Sequence, residues 1–336
     1  MEEESKEEPK EGKRVLILDG DSIAYRCALA QEQRSIFVKT PKGKELSFKT
    51  RTELKDHLLT IGCPRDRLKE VVEKCVIEDI KENLPLDYAL YAIKRHIETL
   101  QEKSKADEVK VYTVDYHNFR KELPLPRPYK GGRSLDKPKH LKHCQDYLRV
   151  KYSSMPAYGY EVDDLACIVA YEELEKGNTP VMPLYDKDQR SFENVLLMGH
   201  KAPYDVFRVQ ELGNLYKDKS SYKGEGLKWL AHQWIIGDGA DNYFGTLLSK
   251  KTYGPAKSLK DLSKLDTPQE VLSYVQETFK TLYPTPFVYK DFRGEEVQGD
   301  WRQQMDLYYK CARMMRSRED KLDYRELFEK YGVKYE

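Results

Sequence analysis

The 336-residue chain has six cysteines but no Cys-x-x-Cys pair. At positions 27, 63, 75, 144, 167 and 311 they are scattered, and they read as small apolar side chains of a reducing compartment, not as zinc ligands or a disulfide framework. His143 and Cys144 are neighbours without a second pair at zinc spacing, so no zinc site is expected there. No apolar run approaches the roughly 18 residues a membrane span needs, so no membrane partner is expected. No basic n-region with an apolar stretch marks a secretory signal, and the expected compartment is the cytoplasm. There is no internal repeat and, after the first dozen residues, no low-complexity segment. A chain this long suggests two joined lobes with sizeable cores.

A dominant charge is also missing. Charged residues make up 34% of the chain, yet the formal net charge is only +1; a mean hydropathy of -0.78 suits a soluble protein. The total hides a division. Residues 1–12 hold six Glu and two Lys, hence -4, which leaves +5 on the rest. That prefix reads as a solvated tail. Residues 120–151 hold ten Lys/Arg against three Asp/Glu, an excess of seven. A charge cluster is most often a solvated face, but one concentrated basic segment on a mildly basic body also suits a polyanion.

RVLILDGD (14–21) is an apolar β-branched run ending in polar residues, which predicts a buried strand and then a helix over about 21–33. SIFVKTPKGKELSFKT (35–50) alternates around Pro-Lys-Gly-Lys as a hairpin does. Charged helical segments are expected over about 51–103, broken at Pro64 and Pro85, the last with Tyr88, Tyr91, Ile93, Ile97 and Leu100 on one apolar face. EVKVYTVD (108–115) and TPVMPLYDKD (179–188) are further strand candidates, the second weakened by its prolines. Strands alternating with helices imply a mostly parallel sheet with helices on both faces, whose ligands collect at the carboxyl ends of the strands. From about 226 the pattern is helical: an amphipathic helix enters the Gly/Asp turn GDGADN, and helices follow at 267–282, 301–316 and 318–331.

Three strand candidates finish on acids: Asp19, Asp115 and Asp186, with Asp188 beside the last. YEVDD opens a helix at about 161–177 with Glu161, Asp163 and Asp164, and the Gly/Asp turn adds Asp238 and Asp241. Any one of these acids could be a turn former, a helix cap or a partner of the helix dipole. Together they form a group too anionic to stand alone, and its all-oxygen character suits Mg²⁺ or Mn²⁺. Two such ions, about 4 Å apart, would position a water and stabilise a leaving oxygen at a phosphate.

The ordered set LDGD, VD, YKGGR, YEVDD, YDKD and GDGADN resembles the 5′-nuclease (flap endonuclease-like) family over about residues 14–260, in particular bacteriophage 5′–3′ exonucleases and the nuclease domain of bacterial DNA polymerase I. The resemblance implies a PIN-like (resolvase-like) nuclease domain over 13–225, with an arch or gateway segment at about 116–139. A helical region over 226–336 would follow, with a helix-three-turn-helix element at about 238–262 that holds duplex DNA. It implies Asp19, Asp115, Glu161 and Asp163 at a first metal, Asp186, Asp188 and Asp241 at a second, and Asp164 and Asp238 close by. It also implies that Lys130 and Arg133 contact the reacting phosphate, with Tyr129 as a stacking face. Gly254 and Lys257 of TYGPAKS would hold DNA, although the family's loop has one more glycine; a plain turn before a helix fits that stretch nearly as well.

The expected enzyme is a monomeric, metal-dependent 5′–3′ exonuclease or flap endonuclease acting on DNA or an RNA–DNA hybrid, in the host cytoplasm if phage-encoded. Three rival readings exist. A haloacid-dehalogenase-like phosphatase would use the D-x-D of LDGDSI, but has Ile23 where Thr or Val is wanted. A non-catalytic binder of nucleic-acid structures gains nothing from an anionic pocket facing phosphate. A PIN-type endoribonuclease is the nearest rival in chemistry.

Overall fold

In the computed structural model β1 (Arg14–Asp19) is the run RVLILD, buried over its last five residues, and α1 (Gly20–Leu29) follows at once. The residues described are 12–133 and 136–335, without the side chains of Asp115 and Tyr116. They divide into two units. One holds the described residues up to Ser22, of Ile97–Leu135 and from Leu148 onward; the other holds Ile23–His96 and Asp136–Tyr147.

The smaller unit contains the expected hairpin, β2 (Glu32–Lys39) and β3 (Glu45–Phe48). α2 (Arg51–Thr60) starts where Thr50 Oγ1 accepts the Glu53 N–H at 3.1 Å, and α3 (Leu68–Glu73) comes next. The expectation of helical segments over about 51–103, broken only at Pro64 and Pro85, needs correction. Val76–Asn83 is a strand, β4, paired antiparallel with β2 along eight residues, so the sheet order is β3-β2-β4. Ladder pairing overrode the helical preference of its Glu and Lys residues. Ile36, Val38, Leu54 and Leu58 form this unit's core. In α4 (Leu86–Ser104) the buried stripe is Ala89, Ile93, Ile97 and Leu100; Tyr88 and Tyr91, expected within it, are 59% and 64% exposed.

In the larger unit come β5 (Glu108–Asn118), α5 (Leu141–Lys151, whose last residues belong here), β6 (Met155–Gly159) and α6 (Val162–Glu175). Then follow β7 (Thr179–Leu184), β8 (Leu196–Gly199) and β9 (Val206–Arg208). The sheet order is β6-β5-β1-β7-β8-β9, with every pair parallel except β8–β9. This is the α/β, mostly parallel arrangement the alternating pattern implies. The prolines do not exclude β7: it pairs with β1 only over Thr179–Val181 and with β8 over Val181–Leu184, so neither ladder runs its full length. Val15 and Ile17 of β1 share a core with Leu165, Ala166 and Val169 of α6.

A hairpin of β10 (Asn214–Asp218) and β11 (Ser221–Glu225), not foreseen, precedes α7 (Gly226–Ile236). That helix is buried all round, not amphipathic as expected. α8 (Pro255–Leu262) and α9 (Pro268–Leu282) follow, the latter opened by Thr267 and Glu270 as a capping box with Pro268 in its first turn. A second unforeseen hairpin, β12 (Phe287–Lys290) with β13 (Glu296–Gly299), leads to α10 (Trp301–Ala312) and α11 (Tyr324–Lys330). α7, α9 and α10 bury Trp234, Phe279 and Tyr308 in one core.

Candidate metal centre

Asp19 is the last residue of β1 and is buried. Its carboxylate accepts the Ser22 N–H at 3.0 Å and the Ser22 hydroxyl. Burial, and after it the charge of Asp21, pushes its pKa up to about 6. Asp21 Oδ2 in turn accepts the Val114 N–H of β5 at 2.7 Å. Asp115 lies on β5 where the pairing with β6 shifts register between Val114 and Asn118; its side chain is outside the described residues.

The first turn of α6 supplies the central acid. Burial, then the charges of Asp19 and Asp186, raises the Asp163 carboxyl well above the aspartate range. These three carboxyls therefore act on one another as one electrostatic group. Asp163 Oδ1 is buried and, among the described residues, has no hydrogen-bond partner. A partnerless buried carboxylate oxygen costs about 1–3 kcal/mol or more, so a positive or protonated group at that point would stabilise the site.

Asp186 caps the 3₁₀ turn Lys187–Ser191, its Oδ1 accepting the Asp188 N–H at 3.0 Å. Burial and then Asp186 raise Asp188 well above its ordinary value, although Gln233 of α7 donates to its Oδ1. One oxygen each of Asp188, Asp238 and Asp241 lie within 4.8 Å of one another. Asp238 and Asp241 sit in a turn closed by reciprocal Asp238–Tyr243 backbone bonds of 2.8 and 3.2 Å. The turn requires Gly237: its φ is 89°, and a Cβ there would stand 2.2 Å from Tyr243 O. Lys187 Nζ lies 2.8 Å from Asp238 Oδ2.

The basic segment faces these acids. Lys130 Nζ donates to Glu161 Oε1 and stands 3.9 Å from Asp241 Oδ1, while Arg133 Nη2 donates to that same Asp241 oxygen at 2.8 Å. The loop is anchored, since the Lys130 N–H donates to Asp241 O at 2.8 Å and Asn242 Nδ2 to Pro128 O at 3.0 Å. Lys130 takes a left-handed φ of 56° to achieve this. Burial opposes ionisation of Glu161, but Lys130 and Arg120 outweigh it and hold its pKa low. For Asp241 burial prevails and the pKa is raised.

Two expectations change. Tyr129 is not a free stacking face: it is buried, stacks on Tyr243 at 6.4 Å, and its hydroxyl lies 3.1 Å from Glu161 Oε2 and 2.8 Å from Asp241 Oδ2. Asp164 does not face the other acids as a ligand: Arg120 donates to both its oxygens, at 2.5 and 3.0 Å, and the Met315 and Glu161 N–H groups donate as well. Its acceptor capacity is used. Gly254 precedes α8 in extended conformation, and Lys257 pairs with Asp261 at 2.8 Å and lies over the Tyr253 ring. Sequence reasoning passed over Arg120 and Lys187, whose partners are remote, and Gln233, which lies inside an apolar helix.

The remaining acids fit a hard divalent cation: every donor is oxygen, burial and neighbouring carboxylates raise the pKa of Asp19, Asp163 and Asp188, and the Asp163 oxygen, among the described residues, has lone pairs without a donor. No protein-family model and no curated protein matches the chain. Similar solved structures include bacteriophage T5 5′-exonuclease with bound zinc, at 13% identity and a TM-score of 0.44, covering 79% of this chain and 80% of that one. A complex of the bacteriophage T5 flap endonuclease with DNA and metal ions is similar at 14% identity and a TM-score of 0.45, covering 80% and 88%. The chemistry inferred below rests on this chain's own side chains.

Proposed function

We propose that the chain is a divalent-cation-dependent 5′-nuclease that hydrolyses DNA phosphodiesters near a 5′ end, at duplex ends or flaps. The partnerless, buried Asp163 oxygen beside Asp19 and Asp186 is the observation that carries this reading. Asp19, Asp115, Glu161 and Asp163 would hold one Mg²⁺ or Mn²⁺, and Asp186, Asp188, Asp238 and Asp241 a second. When bound, such ions supply charge for phosphate oxygens and lower the pKa of a water.

The chain's own residues do the rest. Arg133, half exposed, grips an incoming phosphate through its planar fork, and Lys130 adds a point charge beside it. Both stand on Glu161 and Asp241, so they meet the phosphate next to the cation ligands. Tyr129 fixes the spacing of those two acids from beneath. Asp238 is shared with Lys187, which tempers the charge at the second position.

The test is a panel of 5′-labelled duplex, 5′-flap, single-strand and RNA–DNA hybrid substrates with Mg²⁺ or Mn²⁺. Cleavage that needs the ion, stops in EDTA and disappears in Asp163→Asn is expected. Full cleavage in EDTA would overturn the reading. Phosphate release from small monoesters alone would indicate a phosphatase, and tight binding without cleavage a non-catalytic binder.

A further inference from the structure

Arg120 is fully buried, and its donors reach two separate parts of the chain. Nη1 and Nη2 form a fork on Asp164, Nε donates to Lys310 O at 2.9 Å, and Nη2 also donates to Arg313 O at 2.8 Å. From the other side, the Met315 N–H donates to Asp164 Oδ1 at 3.0 Å. Asp164 Oδ2 accepts the Glu161 N–H at 3.1 Å, which closes the first turn of α6. The run 310–315, the end of α10 and the residues just after it, is thus joined to the turn that carries both Glu161 and Asp163.

We infer that Arg120 is a positioning residue, which together with the run 310–315 aims Glu161 and Asp163 into the carboxylate group. The inference rests on the nuclease reading and adds to it. A fully buried ion pair pays desolvation that offsets most of its attraction, so stability alone accounts poorly for it. Orientation accounts for it better. A bidentate guanidinium–carboxylate pair fixes the plane of Asp164, and the neighbouring residue Asp163 then has little freedom in where its carboxyl points. The second acidic group, Asp188, Asp238 and Asp241, is carried by the 3₁₀ turn and the loop after α7, which Arg120 does not touch. The two groups should therefore respond differently when the fork is lost.

The test uses the full chain without DNA, titrated with Mn²⁺ and followed by the electron paramagnetic resonance signal of free Mn²⁺. Arg120→Lys keeps the charge and removes the fork. Its expected effect is at least tenfold weaker binding of one ion with less than threefold change at the other, in a protein whose circular dichroism is unchanged. Asp188→Asn should weaken the other ion instead. Equal losses at both ions, or no loss, would overturn the inference. If Arg120→Lys does not fold, Asp164→Asn serves, because its amide still accepts from Met315 and keeps the side-chain shape; failure of both to fold would also count against a positioning role. Wild-type chain that binds no Mn²⁺ and leaves DNA intact would defeat the nuclease reading, whereas wild-type binding with an unaltered Arg120→Lys defeats only the present inference.

Discussion

Arg133 Nη2 donates to Asp241 Oδ1 at 2.8 Å, so a cation suited to phosphate rests on an acid suited to a cation. The pair makes both groups ready before either ligand arrives, and it sets up a competition. A divalent ion approaching Asp241 must displace the guanidinium or share the carboxylate with it.

Arg133→Ala should therefore act in two directions. In the absence of DNA, Mn²⁺ should bind a few-fold more tightly, because a competitor is gone; at saturating Mn²⁺, DNA cleavage should fall tenfold or more, because a phosphate contact is gone. Calorimetric titration and single-turnover cleavage give the two numbers.

Asp163→Asn should stabilise the metal-free protein while weakening its response to metal at the first ion position. The substitution removes a carboxyl whose ionisation is opposed by burial and then by Asp19 and Asp186, so the urea midpoint in EDTA should rise. For the wild type, an ion at about 100 times its dissociation constant adds roughly 2.7 kcal/mol. The variant's melting temperature should rise less with Mn²⁺ than the wild type's, because only the second ion position is left intact.

Gly237→Ala should destabilise by roughly 1–3 kcal/mol and weaken binding at the second ion position. The φ of 89° and the 2.2 Å approach to Tyr243 O leave no room for a methyl group without opening the turn that presents Asp238 and Asp241. Denaturant midpoints with and without Mn²⁺ separate the two effects.

His232 makes stability fall in mild acid. It is buried against Trp229, its Nδ1 lies 2.9 Å from Ser258 Oγ, and burial followed by the charge of Lys187 lowers its pKa to about 4. The unfolded chain, with an ordinary histidine pKa, binds the proton more readily. This contribution is complete above about pH 6.5 and is lost as pH falls toward 4, by at most about 3 kcal/mol. The difference in urea midpoint between pH 7.5 and 4.5 should shrink in His232→Gln.

Much of the framework is legible in the chain itself. β1 and β5 announce themselves as apolar β-branched runs, β7 less clearly because of its two prolines, and the parallel sheet follows from their alternation with helices. β4 was not legible, because VIEDIKEN has no clean alternation and becomes a strand only through its pairing with β2. The hairpins at 214–225 and 287–299 were missed for a related reason: strands of four or five residues give little pattern of their own and depend on their partners.

The acids show the division most sharply. Their presence at the ends of strands and helices is a matter of sequence, since a strand that ends at a sheet's rim carries its next polar residue there. Asp163 and Asp164 are chemically identical neighbours, and no local rule tells them apart. One residue step on a helix turns Asp163 toward Asp19 and Asp186 and Asp164 toward Arg120, which is 44 positions away along the chain. Local pattern assigns the type of residue to each place. Which carboxylate meets a guanidinium and which is left with an open oxygen depends on charges that only the folded chain brings within a few ångströms, where burial multiplies their effect.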